Sequence, residues 1–550
     1  MRKLFKFFGY LLLILCILIG CGFIYLYSVA TVTPPEVGNT SVLSIQRQQL
    51  GKNCFVAGNN WLRKSDSGLW EMYVEGAPFE RGYMNGILAK ELIHEQEQAF
   101  SEQINSIVPS SFYRNFLRYF IGWFNRDLEN NITNEFKLEI LGVSKSASHE
   151  FDYIGTPYQR LMNYHAAHDI GHALQNLALV GCSSFATWNH KSADSSLIIG
   201  RNFDFYVGDD FAENKIVQFV NPDSGYKFMM ITWGGMTGVV SGMNVKGLTI
   251  TLNAARSEVP SGSATPISIL AREILQYAGN IKDATRIAAS RKTFVSESFL
   301  IGSAADNKAV SIEITPDTLV VYDPQSDHII CTNHYQSKFL GNTTSNQAQK
   351  EESASVYREN RMSQLIDTLT LNNPEKTVGI LRDKSGLNNT FIGYGNEKSV
   401  NQLIAHHAIV FEPGKLRFWI SSQPWQLGAF MCYDLNKIFS MNGLKNDIET
   451  RDSSFTIPAD SFLTTKGFSD FIAFRNMKSQ LLKGNEIDPR KLVELNPEYY
   501  HSYVLAGDYL YKRKNYSEAK TYYKTALTKE IATIPEKKYI LAQIQKLSSP

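Results

Sequence analysis

A charge imbalance is the first thing this sequence lacks. Its 55 basic and 53 acidic residues leave a formal net charge of +2 over 550 residues. That removes the electrostatic footprint nucleic-acid binding requires, so no nucleic acid is expected as a partner. Zinc-finger spacing, a Walker loop and a basic tract are also missing, and no cofactor is expected. Cysteine is scarce. Of six, Cys16 and Cys21 fall in an apolar segment, leaving Cys54, Cys182, Cys331 and Cys432. Four sparse cysteines make no disulfide scaffold. A single Cys54–Cys432 bridge is conceivable, and Cys331 reads as strand packing. The remaining composition, 43% hydrophobic and 20% charged, is that of a folded protein with ample core. The length fits several domains or one large unit with appendages.

One long apolar run is present. Arg2, Lys3 and Lys6 lead into an uncharged stretch from Phe7 to Pro35, strongly apolar as far as Ala30. About 20 such residues span a bilayer core. Basic residues in front predict a cytoplasmic N-terminus and an exported body, on the periplasmic or extracellular side. A retained signal anchor is favoured over a cleaved signal, because Phe23-Ile24-Tyr25-Leu26-Tyr27 carries the apolar run past any cleavage point. Leu18-Ile19-Gly20-Cys21 resembles a lipobox, so a lipoprotein is the alternative.

After a Pro/Thr/Gly linker at 31–40, residues 84–105 carry a helical stripe of Leu88, Leu92, Ile93 and Phe100. The aromatic-rich stretch 107–125 reads as a core helix pair, with a membrane-facing or acyl-binding surface as the sharper alternative. His165, His168 and His172 fall on one face of a helix. Three neutral imidazoles so placed could hold zinc, but no general-base Glu stands between the first two, and polar packing is the simpler reading. Between 182 and 435 the chain is strand-rich: 197–199, 228–231, 248–252, 309–314 and 408–411 alternate or are β-branched. Helices are expected at 265–278 and 282–290. Trp233-Gly234-Gly235 marks a close backbone approach. Pro497, Tyr503, Gly507, Ala519, Tyr523 and Ala526 have the small/aromatic spacing of one tetratricopeptide repeat. One repeat is too few to stand alone, so this tail is expected to dock on the body or on a protein partner.

Cys182 follows Gly181, and Arg201 and Asp204 come soon after, in Gly200-Arg201-Asn202-Phe203-Asp204. This pattern suits a nucleophile made by self-cleavage. Cutting before Cys182 frees an α-amine, whose pKa of about 8 lets it act as general base for the thiol. A neighbouring cation such as Arg201 favours thiolate. An anion such as Asp204 can orient the α-ammonium. A buried structural Cys is the alternative.

Seven segments, in order, resemble the acyl-coenzyme A:6-aminopenicillanic acid acyltransferase-like peptidase family. These are N-terminal nucleophile hydrolases related to choloylglycine hydrolase and penicillin V acylase. The segments are Glu75-Gly76-Ala77-Pro78-Phe79-Glu80-Arg81-Gly82, Gly181-Cys182-Ser183-Ser184, Gly200-Arg201-Asn202-Phe203-Asp204, Gly242-Met243-Asn244-Val245-Lys246-Gly247-Leu248 leading to Leu252-Asn253, Thr332-Asn333-His334-Tyr335, the Arg358/Arg361 pair, and Ser421-Ser422-Gln423-Pro424. The resemblance implies an α+β fold, a four-layer αββα sandwich, with the N-terminal transmembrane helix and a helical repeat-like tail added. The expected units are an anchor at 1–35, a leading segment at 36–181, a catalytic core at 182–440, a connector at 441–487 and the tail at 488–550. It also implies roles. Asn253 donates to the oxyanion, Asp204 and Asn333 hold the α-amine, Arg201 tunes the thiol, and Arg358 braces the site, with Arg361 as a substitute.

The resulting expectation is a Cys182 amidohydrolase or acyltransferase acting on a linear N-acyl bond. It would take a small-molecule substrate, of lipid-like character if the anchor is a guide. Two other classes compete: a non-catalytic anchored assembly protein using the tail, and a zinc hydrolase using the three histidines.

Overall fold

The computed structural model describes residues 2–107, 110, 119, 121–174, 181–205, 212–256, 262–444 and 450–548. An exposed helix, Arg2–Ala30, opens the chain. Within it, Phe5–Ser28 is long and apolar enough to cross a membrane.

The strands are β1 (Gln48–Gly51), β2 (Cys54–Ala57), β3 (Asn60–Lys64), β4 (Trp70–Gly76), β5 (Ser183–Thr187), β6 (Ile198–Phe203), β7 (Ile216–Pro222), β8 (Phe228–Thr232) and β9 (Ser241–Asn244). They continue as β10 (Leu248–Ala254), β11 (Glu297–Ser303), β12 (Lys308–Ile314), β13 (Leu319–Tyr322), β14 (His328–Cys331), β15 (His407–Glu412), β16 (Arg417–Ser421) and β17 (Phe430–Asp434). One sheet has eleven strands in the order β1-β2-β3-β4-β7-β8-β9-β10-β11-β12-β13, and the other six in the order β14-β5-β6-β15-β16-β17. Neighbours are antiparallel except β4 and β7, which run parallel, from Trp70 opposite Ile216 to Gly76 opposite Pro222.

Alternation along the strands builds the layers. In β8, Met229 and Ile231 face the six-stranded sheet, while Phe228 and Met230 face helices on the far side. In β15, Ile409 and Phe411 point between the sheets, and Ala408 and Val410 point outward. Helices Pro78–Leu88, Asn134–Ser144, Pro157–Leu174, Ile267–Tyr277 and Ile281–Ala289 cover the large sheet. Ser355–Thr368 and Pro374–Leu381 cover the small one. The four-layer αββα sandwich is therefore present. The first two helices over the large sheet cross backbone to backbone. A Cβ on Gly82 would stand 2.0 Å from the Glu139 carbonyl oxygen, and one on Gly142 2.4 Å from that of Phe79. Beneath them Arg81 and Arg272 share the buried Glu139 carboxylate at 2.6 and 3.1 Å.

Several expectations need correction. The single helix over 84–105 is two, Pro78–Leu88 and Lys90–Ile107. The break falls at Ala89, whose N–H still bonds Asn85, with no Gly or Pro to signal it. The Cys54–Cys432 bridge is absent: all six cysteines are free. In the aromatic stretch, Phe112, Tyr113, Phe116 and Phe120 lie outside the described residues. Trp123 stacks beneath Arg126 and Phe124 packs on Phe294. The glycine approach at 233–235 is present, since a Cβ on Gly234 would meet the Leu92 carbonyl oxygen at 2.3 Å.

The C-terminal region is helical: Lys466–Leu482, Pro489–Leu495, Tyr500–Lys512, Tyr516–Ala526 and Ile534–Lys546. Its core side chains pack with Leu403, Trp425 and Leu427 of the sandwich. Lys398 pairs with Glu530, and Asn396 donates to the Glu530 carbonyl at 2.9 Å. The tail thus grips the 391–403 loop.

Candidate active site

Gly181 and Cys182 lead into β5, at the seam where the small sheet faces the large one. The Cys182 thiol is buried. β6 lies beside β5, with Arg201 opposite Ser184. From there the Arg201 guanidinium reaches across to the large sheet. It donates to the Val240 carbonyl at 2.6 Å, to Ser241 Oγ and to the Leu252 carbonyl. Its Nη2 comes 3.9 Å from Cys182 Sγ. Sulfur and guanidinium are therefore neighbours, as the sequence suggested. The direction of the thiol's titration is the reverse of that expectation. Burial pushes it up to about 11, and the favourable field of Arg201 only partly offsets this. Desolvation outweighs one cation here because it penalises the anion from all sides.

Asp204 follows β6. Its carbonyl accepts the Gly181 N–H at 3.0 Å. Its carboxyl is buried, with Oδ2 3.4 Å from Gln402 Nε2 and no hydrogen bond to Oδ1. Burial raises it to about 7, against the opposing charges of Arg358 and Arg201. Asp204 thus faces the Gly181–Cys182 peptide rather than forming an ion pair with Arg201.

Arg358, from the first turn of the helix Ser355–Thr368, makes the densest contacts. Nη1 donates to the carbonyls of Gly181 (2.5 Å) and Cys182 (2.7 Å) and to Ser183 Oγ (2.9 Å). Nη2 donates to Asn333 Oδ1 at 2.6 Å. Arg361 faces elsewhere, making a two-pronged pair with Asp383 at 2.8 Å. Asn333 donates from Nδ2 to the Ala254 carbonyl at 2.9 Å, so its oxygen serves Arg358. Asn253 spans the seam between sheets: Ser184 Oγ donates to its Oδ1 at 2.8 Å, and its Nδ2 donates to the Cys331 carbonyl at 2.9 Å.

Two residues that sequence reasoning passed over complete the surroundings. Gln402 donates to the Gly181 carbonyl at 2.8 Å. It arrives from 221 residues along the chain and lies in no periodic pattern that would flag it. Glu297 is fully buried, with neither carboxyl oxygen hydrogen-bonded. Burial, reinforced by Asp169, pushes it far above the usual carboxylate range, and its field raises the Cys182 thiol further.

Of the histidine trio, His165 has both ring nitrogens engaged. Nδ1 lies 2.7 Å from the Leu161 carbonyl, and Nε2 accepts the Thr237 N–H at 2.9 Å. Burial lowers it to about 4. The side chains of His168 and His172 lie outside those described. No group of three or more metal-ligating side chains occurs among the described residues.

Residues 188–424 match the family model of acyl-coenzyme A:6-aminopenicillanic acid acyl-transferase. Arg201, Asp204, Asn253, Asn333 and Arg358 fall within the matched segment, and Cys182 lies six residues before it. The resemblance carried by the sequence motifs thus holds over this segment. An uncharacterized protein of Archaeoglobus fulgidus is 23% identical over 287 residues, covering 49% of this chain and 47% of the relative. Protein dcd1B of Dictyostelium discoideum is 22% identical over 274 residues, covering 46% and 52%. The chain spans about half the length of these curated relatives. Among solved structures, a Caenorhabditis elegans ortholog of N-acylethanolamine-hydrolyzing acid amidase is similar at 17% identity and a TM-score of 0.31, covering 42% of this chain and 93% of that one. A variant of conjugated bile acid hydrolase from Clostridium perfringens gives 13% and 0.32, covering 46% and 93%.

Proposed function

We propose that this chain is an amidohydrolase or acyltransferase that cuts itself between Gly181 and Cys182 and then uses Cys182 as an N-terminal nucleophile. The family match supports chemistry at amide bonds. The observation that carries the finer reading is the burial of the Gly181–Cys182 peptide among charged side chains. Arg358 holds both carbonyls, Arg201 stands beside the sulfur, and the Asp204 carbonyl takes the Gly181 N–H.

In the mature enzyme, Cys182 attacks the carbonyl carbon of an N-acyl substrate. Its α-amine takes the thiol proton and returns it to the leaving amine. Asp204 is proposed to pair with the α-ammonium; in support, its carboxyl and the Gly181 carbonyl both lie near Gln402 Nε2. Asn253 is proposed as the oxyanion donor, a role worth about a hundred- to a thousand-fold in rate. In the uncut chain its Oδ1 accepts from Ser184 and one Nδ2 hydrogen goes to the Cys331 carbonyl, which leaves the second Nδ2 hydrogen for the oxyanion. Water as acceptor gives hydrolysis, and an amine or thiol gives acyl transfer.

The N-terminal helix is proposed as a membrane anchor with the body exported, and a lipid-like N-acyl substrate suits that placement. The proposed units are those at 36–181 and 182–440, with the tail bracing the body through Leu403 and Trp425.

The test is a denaturing gel of the full chain beside Cys182→Ala, with the N-terminus of the larger fragment determined. A fragment beginning Cys-Ser-Ser-Phe in the parent, and an intact variant, is the expected result. An intact parent that is well folded would leave the thiol without its base and sink the reading.

A further inference from the structure

The Gly181 carbonyl oxygen receives two side-chain donors, Arg358 Nη1 at 2.5 Å and Gln402 Nε2 at 2.8 Å. Both side chains are buried. Donors at such distances, fixed before reaction and shielded from water, are what a developing oxyanion requires. A carbonyl of an ordinary buried loop does not need a guanidinium and an amide on one oxygen; a neutral partner suffices.

The donors come from separate, independently braced elements. Arg358 is tied by its other nitrogen to Asn333. Gln402 is fixed through its neighbours. The Asn401 N–H bonds the Asp383 carbonyl at 2.8 Å, Asn202 Nδ2 holds the Val400 carbonyl at 2.9 Å, and Leu403 is buried against the helical tail. Gly181 is fitted to this amide: a Cβ there would lie 2.1 Å from Gln402 Nε2. The same Nε2 stands 3.4 Å from Asp204 Oδ2, so carboxyl and scissile carbonyl share one donor.

We propose that Gln402 is a catalytic residue of the self-cleavage, forming with Arg358 the oxyanion site for the Gly181 carbonyl. The inference rests on the self-processing reading above. In the step concerned, the Cys182 sulfur adds to the Gly181 carbonyl carbon and the carbonyl π pair moves onto oxygen. There Arg358 and Gln402 receive the negative charge. When the oxyanion collapses, the bond from that carbon to the Cys182 nitrogen breaks, and the nitrogen takes up the proton lost by the thiol. The product is a thioester. Water then adds to it, leaving a Gly181 carboxylate, a Cys182 thiol and a free α-amine. No oxidant or cofactor enters the balance.

The test follows precursor loss with time in the full-length, detergent-solubilised chain, on denaturing gels, for the parent, Gln402→Met and Gln402→Asn. Met keeps the volume and removes the donor; Asn keeps an amide but draws it back from the carbonyl. Removal of one such donor is expected to slow cleavage by about a hundred- to a thousand-fold. Thermal unfolding of each variant beside Cys182→Ala, itself uncut, separates slow chemistry from a lost fold. Gly181→Ala supplies a reading that a merely structural role would not move. It displaces the Gln402 amide, so it should slow the parent but add little to Gln402→Met. Folded Gln402 variants that cut at the parental rate, or Gly181→Ala effects that simply multiply, overturn the inference while leaving self-cleavage standing. A parent that never cuts overturns both.

Discussion

Asp204→Asn should stabilise the uncut protein at alkaline pH, by an amount set by the burial of one carboxyl. Asp204 is raised to about 7 from an ordinary 3.8. Between about pH 4 and pH 7 the folded chain therefore keeps a proton that the unfolded chain has released. Stability falls as pH rises through that window, and above it the full cost of a buried carboxylate remains. A gap of about three pH units corresponds to about 4 kcal/mol. Below pH 4 both states are protonated and the group contributes nothing. An amide mimics the neutral carboxyl at every pH. The comparison belongs in a Cys182→Ala background, so that the chain stays whole, with denaturant unfolding at pH 4, 6 and 8. Other buried groups move in the same range, Lys215 lowered to about 7 and His165 to about 4, but they cancel in the difference between variant and parent. The expected advantage of Asp204→Asn is near zero at pH 4 and about 4 kcal/mol at pH 8. A difference that stays flat across this range, or favours the parent at pH 8, would refute the reasoning. In the chain that retains Cys182 the same substitution should abolish most turnover, since the freed α-amine loses its anion.

Glu139→Gln strips the buried Arg81 and Arg272 of their shared carboxylate and should cost about 3–5 kcal/mol, read by denaturant unfolding. Gly82→Ala forces a Cβ to within 2.0 Å of a backbone oxygen at the helix crossing. It should lower stability by about 1–3 kcal/mol or more, seen as a fall in Tm while the surviving folded fraction cuts itself normally. Phe471→Ala opens a cavity where the tail meets Tyr394, Trp425 and Gly395. A loss of about 3–5 kcal/mol is expected, together with slower precursor loss on gels, because the loop carrying Gln402 loosens. Chelation with EDTA should leave amide hydrolysis unchanged, since His165 has no free ring nitrogen; a loss restored by zinc would revive the metal reading.

The strand-rich core was legible because unbroken apolar runs such as Phe228-Met229-Met230-Ile231 record strands buried on both faces. Cys182, Arg201 and Asp204 were legible as neighbours because Cys182 leads into β5, Arg201 lies on the adjacent β6 and Asp204 directly follows it, so they lie close in sequence as well as in space. Other features were hidden by non-local contacts. Gln402 reaches Gly181 across 221 residues, and no local pattern encodes that. The break at Ala89 has no Gly or Pro at that position to mark it. The thiol's upward shift depends on how deeply the folded chain buries it, which the presence of a nearby Arg cannot reveal. The four strands ahead of β5 that extend the large sheet also went unread: β1, β2 and β3 have only four or five residues, and β4, with seven, is mixed in composition.

The parallel pairing of β4 with β7 acquires a mechanical meaning under the proposed cut. β4 would then belong to the polypeptide that carries the N-terminal helix and β7 to the polypeptide bearing the proposed nucleophile, with seven residue pairs between them. The tie lies inside a sheet, flanked by β3 on one side and β8 on the other, so it cannot peel from an edge. Separating the two pieces would require breaking this ladder inside the sheet, between β3 and β8. Release of the nucleophile chain would therefore proceed at the rate of global unfolding. Washing with salt or alkali, which strips peripherally held subunits, should leave it in place.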